Sequence, residues 1–163
     1  PPLAWLIRLL GKNTEPEARL LQSLRSLVSG GVLQGARVYR TSRGWRILAL
    51  DSSLSPASAR MQSIFETLHA DALYAPLCAR QQCWRARLTP KPSKVGMPRY
   101  PRPMCSAEAT SPAVLEWIER YRSASEQAAV CRLVETVGSV PAHPIIALHD
   151  EWTRALRPDW PLR

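Results

Sequence analysis

Glycine is scarce, seven in 163 residues, and none of it falls into a pattern that cradles phosphate. No phosphate-binding loop, dinucleotide fingerprint, nucleophile elbow or zinc-protease helix motif can be written from this chain. Asparagine occurs once, at Asn13, and Asp plus Glu number only 13. No Asp-x-Asp pair sits on a predicted strand, so the converging carboxylates that two-metal phosphoryl transfer requires are missing. A primase-like or nuclease-like phosphoryl-transfer domain is therefore the third-ranked reading, behind two binding functions, and no catalytic residue is assigned.

Long apolar runs are also absent. Leu3 to Leu10 is apolar but carries Arg8 and is too short to cross a bilayer, so no membrane partner is expected. The four cysteines, Cys78, Cys83, Cys105 and Cys131, form no dense framework, and no secretory leader is visible, which points to a reducing, cytoplasmic setting. Cys78 and Cys83, with Cys105, Cys131, His143 or His149, have the ligand types that zinc prefers. Cys83 lies inside a predicted strand, however, and no second close pair exists, so buried free thiols are the plainer expectation and neither metal nor cofactor is assigned.

What the chain does have is positive charge. Lys plus Arg total 22, giving a formal net charge of +9, and most of that charge is Arg, whose planar guanidinium suits bidentate contact with phosphate. An anionic partner follows: nucleic acid, or an acidic protein surface.

The clearest local signal is Arg37 to Asp51. Two runs rich in β-branched, aromatic and aliphatic residues flank Ser42-Arg43-Gly44, with Gly where a three-residue hairpin loop needs a left-handed residue. That loop pairs Thr41 with Trp45, Tyr39 with Ile47 and Arg37 with Ala49. Val38, Leu48 and Leu50 then share the core face. Arg37, Tyr39, Thr41 and Trp45 share the other, where cations and aromatics would lie side by side.

Around the hairpin, Leu3 to Leu10 reads as a buried strand closed by Gly11-Lys12-Asn13. Thr14-Glu-Pro-Glu17 is a capping box, and Leu20, Leu21, Leu24, Leu27 and Val28 follow at helical spacing up to Gly30-Gly31. Ser55-Pro56 repeats the cap-then-proline signature ahead of Met61, Ile64, Phe65 and Leu68, a second helix reaching about His69. Gln82 to Thr89 alternates, with Trp84, Ala86 and Leu88 on one side and Cys83, Arg85 and Arg87 on the other, which reads as a half-buried strand ended by Pro90.

Strand, helix, strand, strand, helix, strand over residues 3–89 resembles the ferredoxin-like fold at the level of architecture. The expected class is thus α+β: a βαββαβ core over residues 1–90, with a four-stranded antiparallel sheet and two helices on one face. A proline-rich basic connector follows at 91–112, and a helical C-terminal extension at 113–163 is packed on the core. In that extension Ser111-Pro112 opens a third helix, Ala128 to Val137 continues it or forms a fourth, Gly138 stops the run, and Pro144 to Leu156 is the last.

RNA-recognition modules share this topology, and the resemblance implies aromatics that stack bases while Arg and Lys hold phosphates. On that model Arg85, Arg87, Lys91, Lys94, Arg99 and Arg102 contact phosphates, and Arg37, Tyr39 and Trp45 contact bases. The alternative is a non-catalytic interaction or inhibitory module whose basic surface docks an acidic partner.

Overall fold

The computed structural model describes residues 14–49, 51, 53–100 and 109–163. The predicted strand at Leu3 to Leu10, with Arg102 and Cys105, lies outside the described residues. In order come α1 (Thr14–Ser29), β1 (Gly35–Thr41), β2 (Trp45–Ala49), α2 (Ala59–Thr67), α3 (Tyr74–Gln81), a 3-10 turn (Pro92–Val95), α4 (Pro112–Ser125), β3 (Cys131–Gly138) and α5 (Pro144–Thr153). The three strands form one antiparallel sheet in the order β2-β1-β3. The class is α+β, but the expected four-stranded ferredoxin-like sheet is corrected by this three-stranded one.

Two misread segments account for the difference. Gln82 to Thr89 is not a strand: Gln82 caps α3 in the left-handed conformation, and the chain then runs on without a ladder partner among the described residues. Its carbonyl at Arg87 is taken by a side chain, Arg46 Nη2, at 2.8 Å. Alternation alone does not make a strand when no neighbouring backbone is there to pair. Cys131 to Val137 is β3 and not a helix. Its apolar residues fit either period, and the burial alternates, with Cys131 and Val137 inside and Val134 and Thr136 outside.

Three helices, α1, α4 and α5, start where their signals put them, whereas α2 starts later than expected and α3 has no side-chain cap to announce it. Ser58, not Ser55, caps α2, its hydroxyl accepting from Met61 N at 3.2 Å. Pro112 opens α4 and Pro144 opens α5, where a missing N–H costs nothing. His143 Nδ1 accepts the Ile145 N–H at 3.1 Å at the start of α5.

Two compact units are formed. The first holds the described residues up to 36, with 49–85 and 136–140. Leu21, Leu24, Leu33, Met61, Ile64 and Cys78 are buried, and Phe65 meets Tyr74 and Trp84 edge-on at 5.9 and 6.2 Å. Gly138 has φ +72° there, and a Cβ on it would lie 2.5 Å from Gln34 O. Only glycine allows that approach. The second unit holds residues 37–48, 86–135 and 141–163, with Val38, Tyr39, Val114, Ala129, Cys131, Ile146 and Ala155 buried.

The hairpin stands where the sequence puts it, in a different register. Thr41 N–H donates to Gly44 O at 2.9 Å, which closes the turn around Ser42-Arg43, one residue earlier than a three-residue loop would. Thr41 Oγ1 accepts from Gly44 N at 3.1 Å, so the side chain supports a tight turn in which Gly44 needs no left-handed backbone. Arg40 now faces Trp45, its guanidinium 4.6 Å from the ring centroid. A slip of one residue turns every side chain of a strand to the other face. Arg46 and Leu48 therefore share the face of Arg37 and Tyr39, and Trp45 leaves it.

Candidate functional site

The second unit contains two concentrations of chemistry, one sealed and one open. The sealed one lies where α5 covers the face of β1 that carries Arg37 and Tyr39. Helical spacing turns Ile146, His149, Asp150 and Thr153 inward. Asp150 is buried and accepts Tyr39 Oη–H on Oδ1 at 2.8 Å. His149 Nδ1 approaches the same oxygen at 3.0 Å, and Arg37 Nη1 lies 2.8 Å from Oδ2. On the far side of the imidazole, Arg46 Nη1 sits 3.0 Å from Nε2 and 3.8 Å from Cys131 Sγ. The Tyr39 and His149 rings are 4.6 Å apart.

The hydrogen-bond network assigns the tautomer. Asp150 can only accept, so Nδ1 carries the proton; Arg46 can only donate, so Nε2 offers its lone pair. His149 is thus neutral, and burial first, then the adjacent Arg46 charge, pushes its pKa below the ordinary value, against the pull of Asp150. Burial raises the Cys131 thiol. Burial also raises the Tyr39 phenol, helped by the hydrogen bond to Asp150. Cys131, His149 and Asp150 have the residue types of a nucleophilic triad, but the imidazole lone pair that would act as base is already bound to Arg46 and the thiol stays protonated. What this arrangement does is hold α5 to the sheet.

The open concentration is the segment from Arg87 to Tyr100. It is not a loose connector. Lys94 N–H bonds Lys91 O at 2.8 Å and Met97 N–H bonds Pro92 O at 2.9 Å, and Pro90 and Met97 are buried. α4 grips both ends: Tyr121 Oη donates to Pro90 O at 2.5 Å, and Trp117 Nε1 donates to Pro98 O at 3.2 Å. Trp117 stacks on Tyr121 at 5.0 Å with 11° between ring planes, and Tyr100 meets Trp117 edge-on at 5.0 Å. Between these anchors lie the exposed Lys91 and the half-buried Lys94, and the exposed Arg87 and Arg99 flank them. None of the four is in an ion pair among the described residues. An open groove of about 560 Å³ runs beside the turn, lined by Lys94, Gly96, Glu126, Gln127 and Arg163 among others.

The residues expected to form one nucleic-acid face are thus dispersed. Arg37 and Tyr39 are consumed by Asp150, and Tyr39 is fully buried. Trp45 lies on the opposite face of the hairpin under Arg40. Arg85 is exposed but belongs to the first unit, where Tyr74 Oη donates to its carbonyl at 3.1 Å. Arg87, Lys91, Lys94 and Arg99 remain together on one pinned stretch. Reasoning from sequence missed the gripping aromatics, although Trp117 and Tyr121, four apart on a predicted helix, were a visible pair. It also missed Asp150 as the partner of Arg37, which no local signal announces across 113 positions.

No group of three His, Cys, Asp or Glu is placed to hold a metal ion among the described residues, and no described helix is long and apolar enough to cross a membrane. No protein-family model, curated protein or solved structure matches the chain.

Proposed function

We propose that the protein binds nucleic acid in a cytoplasmic setting, with Arg87, Lys91, Lys94 and Arg99 as its phosphate contacts. The observation that carries this reading is a row of cations with no ion pair among the described residues, on a backbone fixed by Tyr121 and Trp117. Fixed cations release condensed counterions without first paying to order a flexible tail. Arg37 and Tyr39 are left out, because an arginine neutralised by its own protein and a sealed ring have nothing to offer a ligand.

Titration with oligonucleotides at several salt concentrations tests the reading. Four phosphate contacts give a slope of log affinity against log salt of about −2.8 to −3.6, or a roughly 50- to 150-fold loss between about 50 and 200 mM salt. Replacing Lys91 and Lys94 by alanine should flatten the slope by about half. Absence of binding at the lowest salt sinks the proposal.

A second reading has its own observation. Ile145, Leu148 and Trp152 are 56%, 45% and 55% exposed and share the outer face of α5. Such a stripe is what an amphipathic partner helix covers, and a chain of charge +9 favours an acidic one. Titrating an acidic amphipathic peptide at salt high enough to suppress phosphate contacts should show saturable binding that Trp152→Ser removes. Binding unchanged in that variant counts against it.

A further inference from the structure

The cations of this segment do not choose between a duplex and a single strand, but the ring at its end does. Tyr100 follows Arg99 directly, is 38% exposed, and is held by its edge-on contact with Trp117, which is itself backed by Tyr121. Trp117 and Tyr121 stack on α4, and Tyr100 stands edge-on against that pair, open to solvent beside Arg99, which has no ion pair among the described residues. We infer that the ligand is single-stranded nucleic acid, with Tyr100 stacking an unpaired base while Arg99, Lys94 and Lys91 follow the phosphates.

The physical argument concerns which surfaces each form presents. A duplex offers its bases only at groove edges and hides their faces in the stack, so a ring seated on a fixed support gains nothing from it. An unpaired base offers a π-face of any sequence, and stacking on an aromatic side chain is strong enough to show in affinity. A support made by Trp117 and Tyr121 also removes most of the ordering cost that a free tyrosine would bear on binding. This inference rests on the phosphate-binding reading above and adds the strand state to it.

The test uses the full chain and three probes of equal charge: a single strand of about twelve nucleotides, the same length of abasic sugar-phosphate, and a duplex with the same number of phosphates. The wild-type chain should prefer the ordinary strand over the abasic one by about 5- to 150-fold, the range set by stacking one base. Tyr100→Ala should bring the ordinary strand down to the abasic level and leave abasic and duplex binding unchanged. Tyr100→Phe should restore the preference, since a phenyl ring stacks without the hydroxyl, which separates stacking from a structural loss. Equal losses on all three probes in Tyr100→Ala, or no loss on any, overturn the inference while the phosphate-binding reading stands. Failure of the wild-type chain to bind any probe at low salt overturns both.

Discussion

Replacing Asp150 by asparagine removes one negative charge and almost no volume, and the geometry around it predicts a large cost. The carboxylate side chain is 7% exposed and faces Arg37 at 15%, with Tyr39 and His149 donating to its other oxygen. In Asp150→Asn one oxygen can still accept from Tyr39 or His149, but the amide that replaces the other oxygen meets a guanidinium, donor against donor. Breaking a buried pair from one side costs about 3–5 kcal/mol, because the remaining charge has no compensation. That is a large share of a typical total of about 5–15 kcal/mol. With a urea slope of about 2 kcal/mol per molar, the unfolding midpoint should fall by about 2 M. Circular dichroism and tryptophan fluorescence followed together would report whether the transition stays cooperative. Adding Arg37→Met should recover much of the loss, since the orphaned charge is then gone and an apolar chain of similar length fills its place. A midpoint within about 0.5 M of wild type, or a double variant no better than the single one, would refute the view that this ion pair is what fastens α5 to the sheet.

The same network sets both ends of the pH range. His149 has its folded-state pKa held below the ordinary 6.5, so the unfolded chain takes up the proton first as pH falls. Its contribution is complete above about 6.5 and is lost as pH drops through the folded value; urea midpoints measured from pH 8 to 5 should decline less in His149→Gln. Tyr39 behaves in the opposite sense. Its folded pKa is raised from 10.0, so its contribution is complete below that value and is lost as pH climbs towards the folded one, and Tyr39→Phe should flatten the alkaline side of the profile. If either variant tracks wild type across its limb, the corresponding proton assignment is wrong.

Much of the local structure is readable from the residues that make it. Pro112 and Pro144 stand at helix starts because proline lacks the N–H that the first turn leaves unused, and Gly30-Gly31 closes α1 as expected. The hairpin was legible as two strands, but not its register. That depends on whether Thr41 turns its hydroxyl back onto Gly44 N, a choice worth one hydrogen bond that decides which way the five residues of β2 face. The segment from Cys131 to Val137 satisfied both helical and strand periods, and only the presence of β1 beside it settles the matter. For Gln82 to Thr89 the alternation was sound, but no strand among the described residues pairs with it.

Composition and short-range pattern by themselves determined the charge, the starts of α1, α4 and α5, the existence of the hairpin and a basic stretch at Lys91 to Arg99. They did so because charge is additive and because caps and turns involve neighbours a few residues apart. Only the tertiary structure decided which arginines are available. Arg37 and Arg99 look alike in the chain, yet one meets a carboxylate 113 positions away and the other is held out by aromatics from a different helix. Burial and ion pairing are properties of what is packed alongside, and that is settled only when distant segments come together.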